Sequence, residues 1–348
     1  MTTIQKHMME YLHDSDDHEL AVIIPAYRAK YLNESLDSLC AQTDKRFRVY
    51  VGDDASPDDL KQICDNYQNR LYIYYKRFND NLGQTSLVQH WNRCARLSNE
   101  RWCWLFCDDD IMHPRCVESF YRTIEGDRKA FPVYRFNTSM ISAEGKIFKI
   151  NPDHPEIESG MEFALARFKR ERSSFVSEYI FSRQAFDSEG GFIDFPMAWC
   201  SDDASWIAFS GNKGIYTING PRVLWRYSGF NISSIGNAYR DQKIEALFQF
   251  LKWVKLRIKE KTDLMPKQYD IYAFQENILD WLYYQLASIG PLGLKKYFLI
   301  SKRMNSIFDK NRFQQFFGLL MVDYKLYKSR IKNKLSKIKR SGFIFGLR

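Results

Sequence analysis

An apolar run, Trp102-Cys-Trp-Leu-Phe-Cys107, stops abruptly at three aspartates, Asp108, Asp109 and Asp110, with Pro114 just beyond. A short run that is apolar on both faces reads as a strand buried in the middle of a sheet. Charge that ends such a strand sits at its carboxyl end, the edge where open α/β sheets bind ligands. Three adjacent carboxylates repel one another, and a divalent cation is the simplest group to offset them. Hard oxygen ligands suit Mg2+ or Mn2+, which bind through one or two carboxylates and a substrate's phosphates. The competing reading is a solvated acidic loop capping the next helix.

The rest of the first half alternates strand and helix signals. Leu20 to Ile24 is an apolar run closed by Pro25, and Asn33 is placed to cap a helix reaching about Gln42. Phe47 to Val51 is a second strand, followed by Gly52, Asp53 and Asp54. Ser56 and Pro57 read as N-cap and first helical residue, with Asp58 and Asp59 as helix-start acids. Leu71 to Tyr75 is a third strand, Gln84 to Leu97 a helix, and Trp102 to Cys107 the fourth strand. This spacing predicts an α/β fold with parallel pairing in a doubly wound sheet. Further on, Val133 to Met140, Ile147 to Ile150, Phe175 to Phe181, Ile215 to Ile218 and Val223 to Tyr227 read as strands. Ser159 and Glu162 form a capping box, and Asp202 to Ser210 reads as a helix that Ser201 could cap. From about 237 the chain reads as helical, broken at Pro266 and at Gly290-Pro291.

With 348 residues the chain is long for one domain, and 45% apolar residues supply a sizeable core. The expected division is a tail over 1–18, a catalytic domain over 19–235, a helical region over 236–322 and a basic amphipathic tail over 323–348. The first twenty residues are acid-rich with no apolar core, so a tail and not a signal peptide is expected there. No uninterrupted apolar stretch is long enough to span a bilayer. Seven cysteines without a CxxC pair point to reduced thiols in a cytoplasmic setting. A zinc site from Cys103, Cys107 and Cys116 is disfavoured, because structural zinc prefers knuckle spacings.

Four elements occur in order: Val22-Ile-Ile-Pro25-Ala-Tyr27; Val51-Gly-Asp53-Asp54-Ala55-Ser56; Asn81-Leu-Gly83 with Asn92; and Asp108-Asp109-Asp110 with Pro114. Together with the acidic pair Asp202-Asp203, this set resembles the inverting glycosyltransferase family 2, over roughly residues 20–235. The resemblance implies the GT-A fold, an α/β fold with a mixed, largely parallel sheet flanked by helices, and sugar transfer from a nucleoside diphosphate to a hydroxyl. By the same resemblance Pro25 and Tyr27 would border the donor's base, and Asp53 or Asp54 would accept from base or ribose. Asn81, Gly83 and Asn92 would shape the donor pocket. The triplet looks like the family's Asp-x-Asp motif, with Asp110 and Asp108 toward the metal and Asp108 and Asp109 toward the donor. Asp203 takes the position of the catalytic base, with Asp202 as the preceding acid; a shift of one residue would exchange them. Arg226, before Ser228, Asn231 and Ser233, resembles a segment that folds over the diphosphate, where Arg binds bidentately. Two departures stand out: Ala55 replaces the usual Gly, and His90-Trp91-Asn92 lacks the usual Arg. Arg93 is adjacent but is expected to point elsewhere on its helix.

Net charge is concentrated at one end. Nine Lys/Arg face one acid, Asp323, over 321–348, while the rest is near neutral. Tyr327, Ile331, Leu335 and Ile338 share one helical face among these bases. Such a helix suits an anionic membrane surface. The expected donor is a UDP-sugar, and the acceptor a glycan or lipid-linked glycan in surface polysaccharide biosynthesis. The expected location is cytoplasmic, peripheral at the inner face of the plasma membrane. Nucleic acid is not an expected partner, since no such motif accompanies the charge; an oligomeric contact through the helices stays open. Two rival readings remain. A nucleotidyltransferase should carry a Gly-rich triphosphate loop after its first strand, and Arg28 and Lys30 lie in a loop without glycine. A non-catalytic binding module on the same fold would not need Asp108–Asp110, Asp203 and Arg226 together.

Overall fold

The computed structural model describes residues 19–126, 131–229, 239–260, 271–289, 292, 294–304 and 307. The chain divides into two compact units, Met1–Ile235 and Gly236–Arg348. The expected N-terminal tail, the breaks at Pro266 and Gly290-Pro291, and the basic stretch 323–348 lie outside the described residues, as do Asn231 and Ser233.

The first unit opens with β1 (Leu20–Ala26), α1 (Leu32–Cys40), β2 (Phe47–Asp53), α2 (Leu60–Asp65), β3 (Ile73–Arg77), α3 (Leu87–Ala95) and β4 (Trp102–Leu105). It continues through β5 (Ile111–Met112), α4 (Cys116–Glu125), β6 (Val133–Ile141), β7 (Ile147–Ile150), β8 (Ile157–Glu158) and α5 (Gly160–Phe168). A 3-10 turn (Val176–Glu178) leads to β9 (Tyr179–Ser182), α6 (Arg183–Ser188), α7 (Ser201–Phe209) and β10 (Ile215–Arg226). The second unit contains α8 (Arg240–Glu260), α9 (Ile271–Ile289) and α10 (Leu294–Met304).

The main sheet has the order β3-β2-β1-β4-β9-β6-β10-β5, with β7 on β6 and β8 on β10. β1 pairs in parallel with β2 and β4, β2 with β3, and β6 with β10. Antiparallel β9 lies between β4 and β6, so those two run the same way. All the parallel strands therefore deliver their carboxyl ends to one edge. Both faces of the sheet are covered, which is why β1 and β4 are buried along nearly their whole length. Trp104 stacks on Phe136 at 5.2 Å between ring centroids, and Tyr179 on Trp206 at 4.4 Å, fixing β4 to β6 and α7 to β9.

Several local expectations are corrected. α1 starts at Leu32 without a side-chain cap; Asn33 is inside it and accepts from the Tyr67 hydroxyl. α2 starts at Leu60, capped by Asp59, because Ser56 is drawn to the loop, donating to the Tyr27 carbonyl at 2.7 Å. Asp58 accepts the Ala29 N–H instead of capping. β4 stops at Leu105, short of Cys107. The two short strands expected over 215–227 are one strand, β10, whose pairing slips between Ile218 and Arg222. Pro221 and Gly220, with φ of 107°, lie in that slip, where a strand can lose a ladder bond.

Candidate active site

The carboxyl edge gathers three acidic groups. The first lies at the end of β2. Register places Asp53 opposite Ala26 on one side and Arg77 on the other. Asp53 is fully buried; its carboxylate accepts the Ser56 N–H at 2.7 Å, the Arg77 guanidinium at 2.7 Å and the Tyr75 hydroxyl. Asp54 is buried as well and accepts the N–H groups of Leu82 and Gly83 at 3.0 and 2.8 Å. A Cβ on Gly83 would fall 2.5 Å from the Asp54 carboxylate, so glycine permits this approach. Arg93 pairs with Asp54 and lies over the Phe78 ring at 3.9 Å. It points into this cluster, correcting the expectation that it faces elsewhere. Asn81 accepts the Gln84 N–H, and Asn92 binds the backbone of Phe192, so both side chains hold loops. Pro25 is in β1 opposite Gly52, and Tyr27 stands 37% exposed beside this group.

The second group is the triplet after β4. Asp108 accepts the N–H groups of Tyr27 and Arg28 at 3.2 and 3.4 Å, tying the triplet to the loop after β1. Asp110 is fully buried and accepts the Arg226 N–H at 2.8 Å and the Ser177 hydroxyl. Ser177 also accepts the Cys107 N–H at 3.2 Å. Sequence reasoning missed Ser177, because nothing local pairs it with a residue sixty-seven positions earlier. Burial, then the charge of Asp109, pushes the Asp108 carboxyl up to about 7 and Asp110 well above the usual carboxylate range. Burial also raises Asp109. Atoms of Cys107, Asp109 and Asp110 that could ligate a cation lie within 4.8 Å of one another. Among the described residues this is the one such group, and it joins Asp109, not Asp108, to Asp110. Cys103 and Cys116 are buried apart from it, which removes the three-cysteine zinc reading.

Arg226 closes this part of the edge. Its guanidinium is fully buried over the Tyr31 ring. It donates to the carbonyls of Asp109 (2.7 Å) and Ala143 (3.0 Å) and pairs with Glu34 at 2.6 Å. As it sits, Arg226 stitches the triplet to two neighbouring loops and offers no open fork to a phosphate.

The third group opens α7. Asp203 is buried and takes Arg167 Nε on both carboxylate oxygens at 3.1 Å. Asp202 is partly exposed, and burial followed by the charge of Asp203 raises its carboxyl to about 7. The cap is Cys200 at φ 65°, not Ser201, whose hydroxyl accepts the Phe195 N–H. Met197 and Ala198 are also left-handed, at φ 61° and 54°. Left-handed backbone at residues with a Cβ costs about 1–2 kcal/mol each, and such strain collects at functional sites. Arg167 was not legible in the sequence either: its helix was, from the Ser159–Glu162 capping box, but not its partner on α7.

This arrangement sets two carboxylates and a cysteine within ligand distance of one another and raises the Asp202 carboxyl to about 7. The sequence profile of Glycosyl transferase family 2 matches residues 21–185. An uncharacterised glycosyltransferase of Rickettsia typhi is 26% identical over 148 residues, 42% of this chain and 45% of that protein. GlyG of Streptococcus pneumoniae is 24% identical over 110 residues, 30% of this chain and 35% of its own. The chain thus spans less than half the length of these curated relatives. Residues 1–349 of S. aureus TarS, solved with UDP-GlcNAc, superpose with a TM-score of 0.57 at 13% identity, covering 89% of this chain and 92% of that one. Residues 21–185 thus match the family 2 glycosyltransferase profile, and the fold is of the GT-A type seen in the solved neighbour.

Proposed function

We propose that the chain is a metal-dependent inverting glycosyltransferase, moving a sugar from a nucleoside diphosphate to a hydroxyl of a glycan or lipid-linked glycan. The observation that carries this reading is the convergence of Asp109 and Asp110 within ligand distance at the carboxyl edge of a family 2 domain. Two carboxylates, joined by a substrate's phosphate oxygens, would suit Mg2+ or Mn2+. When bound, such a cation neutralises the charge that builds on the departing diphosphate. Asp108 fixes the loop after β1, so that Tyr27 can lie against the base. Asp53 and Asp54 brace the walls of that pocket.

Asp202 is the residue we assign as base. With its carboxyl near 7 it can take the acceptor's proton at neutral pH. The acceptor oxygen then bonds to the anomeric carbon from the face opposite the diphosphate as the bond to the leaving phosphate oxygen breaks. Asp203, neutralised by Arg167, orients α7. The sequence pattern assigned the base to Asp203; the raised carboxyl of Asp202 supports the neighbouring register. UDP-sugars are the first donors to test, since TarS was solved with UDP-GlcNAc. The basic amphipathic pattern over 323–348 supports a location at the inner membrane face and a role in surface polysaccharide assembly. Among the described residues no helix is long and apolar enough to cross a membrane.

The test is thermal-shift titration with UDP, GDP, CDP and dTDP, with and without Mn2+, followed by turnover of the matching nucleotide sugars. A ligand that binds only the folded state raises its stability. The expected result is a metal-dependent shift with one nucleotide, abolished in Asp109→Asn. A transfer rate that survives both Asp109→Asn and Asp202→Asn would falsify the assignment.

A further inference from the structure

Strand β7 stands apart from the rest of the sheet. All four of its residues are exposed and three are apolar: Ile147 is 57% exposed, Phe148 55% and Ile150 65%. Side chains alternate along a strand, so these three stand on both faces of the ribbon and neither face is packed on the core. Lys146 and Lys149, both exposed, flank and interrupt them. β7 pairs with Ser139–Ile141, the last residues of β6, which run to the edge that holds the acidic groups. The hairpin's tip is tied to that edge. Arg226 donates to the carbonyls of Ser142 and Ala143 while its own N–H holds Asp110. An exposed apolar strand is an aggregation hazard, and a cluster of this kind rimmed by charge marks a contact surface.

We propose that the β6–β7 hairpin seats the protein on an anionic lipid surface, with Ile147, Phe148 and Ile150 entering the acyl boundary and Lys146 and Lys149 meeting the headgroups. Three features favour lipid over a protein partner. Three side chains offer a few hundred Å2 at most, against about 800 Å2 per partner in a stable protein interface. The apolar groups lie on both faces of the ribbon, which suits a medium that surrounds it. The charges on the strand itself, Lys146 and Lys149, are basic and complement anionic lipid, while the acid Glu144 lies in the turn, where its carboxylate accepts from the Ser142 hydroxyl. Docked this way, the hairpin would bring the carboxyl edge to the membrane, where a lipid-linked acceptor would present its hydroxyl. That last consequence rests on the transferase reading; lipid binding by the hairpin does not.

The experiment is co-sedimentation of the full chain with vesicles of phosphatidylcholine containing phosphatidylglycerol, against phosphatidylcholine alone. Wild type should bind the anionic vesicles. The triple variant Ile147→Thr, Phe148→Thr, Ile150→Thr keeps β-propensity and should bind about tenfold more weakly or worse. Lys146→Glu with Lys149→Glu should erase the preference for anionic lipid and serves if the triple variant unfolds. A full-length variant with Lys332, Lys334 and Lys337 changed to Glu separates the basic tail. Hairpin variants that bind like wild type overturn the hairpin and leave the tail. A wild type that ignores anionic vesicles overturns both, and nucleotide-sugar turnover then judges the transferase reading by itself. A concentration-dependent dimer lost in the triple variant would make the patch a protein contact and overturn the proposal.

Discussion

Asp202 and Asp203 are adjacent and chemically identical, yet their surroundings differ. Arg167 sits on both oxygens of Asp203, whose charge is thereby held in place. Asp202 keeps a carboxyl that titrates at about 7. Asp202→Asn should lower kcat by about 10²–10⁴, the usual contribution of a general base, while the nucleotide-induced thermal shift persists. Asp203→Asn should act mainly on stability, because it leaves the half-buried Arg167 guanidinium without its counter-charge. Equal losses of kcat in both variants, with no difference in unfolding midpoint, would sink this division. Pattern alone could not separate the two residues: the choice turns on Arg167, thirty-six positions earlier and brought alongside only by the packing of α5 on α7.

At the level of elements, the turn after β2 explains the one substitution in its motif. Ala55 stands where the family pattern has Gly, and it adopts φ 55°, a left-handed conformation. Left-handed backbone at a residue with a Cβ costs about 1–2 kcal/mol. Ala55→Gly should therefore raise stability by about 1 kcal/mol, read as a higher urea midpoint with unchanged slope. No gain, or a loss, would mean the turn is not strained. Strand identity was legible from apolar runs, and the capping box of α5 formed as written, with Ser159 and Glu162 bonded reciprocally. Helix starts were less legible. Ser56 and Asn33 are good caps by type, but each had a better partner elsewhere, the Tyr27 carbonyl and the Tyr67 hydroxyl.

Across the whole molecule, buried carboxyls set the response to pH. Burial lifts Asp108 and Asp202 to about 7 and Glu178 to about 8. Unfolded, these groups titrate near 4. Between about pH 4 and 8 the folded state therefore binds more protons than the unfolded chain, and stability falls as pH rises. Their contribution is complete below about 4 and is lost through 7–8. Without added metal, Tm should fall from pH 5 to pH 8, and Glu178→Gln should flatten the slope. Added Mn2+ should raise Tm more at pH 8 than at pH 5, because ligating carboxylates must first lose their protons. A Tm that rises with pH in metal-free buffer would contradict the burial of these groups.

The amino-acid order by itself determined which segments become strands, that they alternate with helices, and that acidic residues end β2 and β4. Those are local facts: apolar runs must be buried, and charge terminates them. The family motif was legible for the same reason, since its residues lie at strand ends in fixed order. Only the tertiary structure decided which carboxylates meet, that Asp109 joins Asp110 while Asp108 holds the loop after β1, and that Arg226 is consumed by Glu34 and backbone carbonyls. It also decided that Arg167 takes Asp203 and leaves Asp202. Each of those pairings spans dozens of residues and depends on strand register and helix packing, and a side chain's charge is set by whichever neighbour the fold delivers.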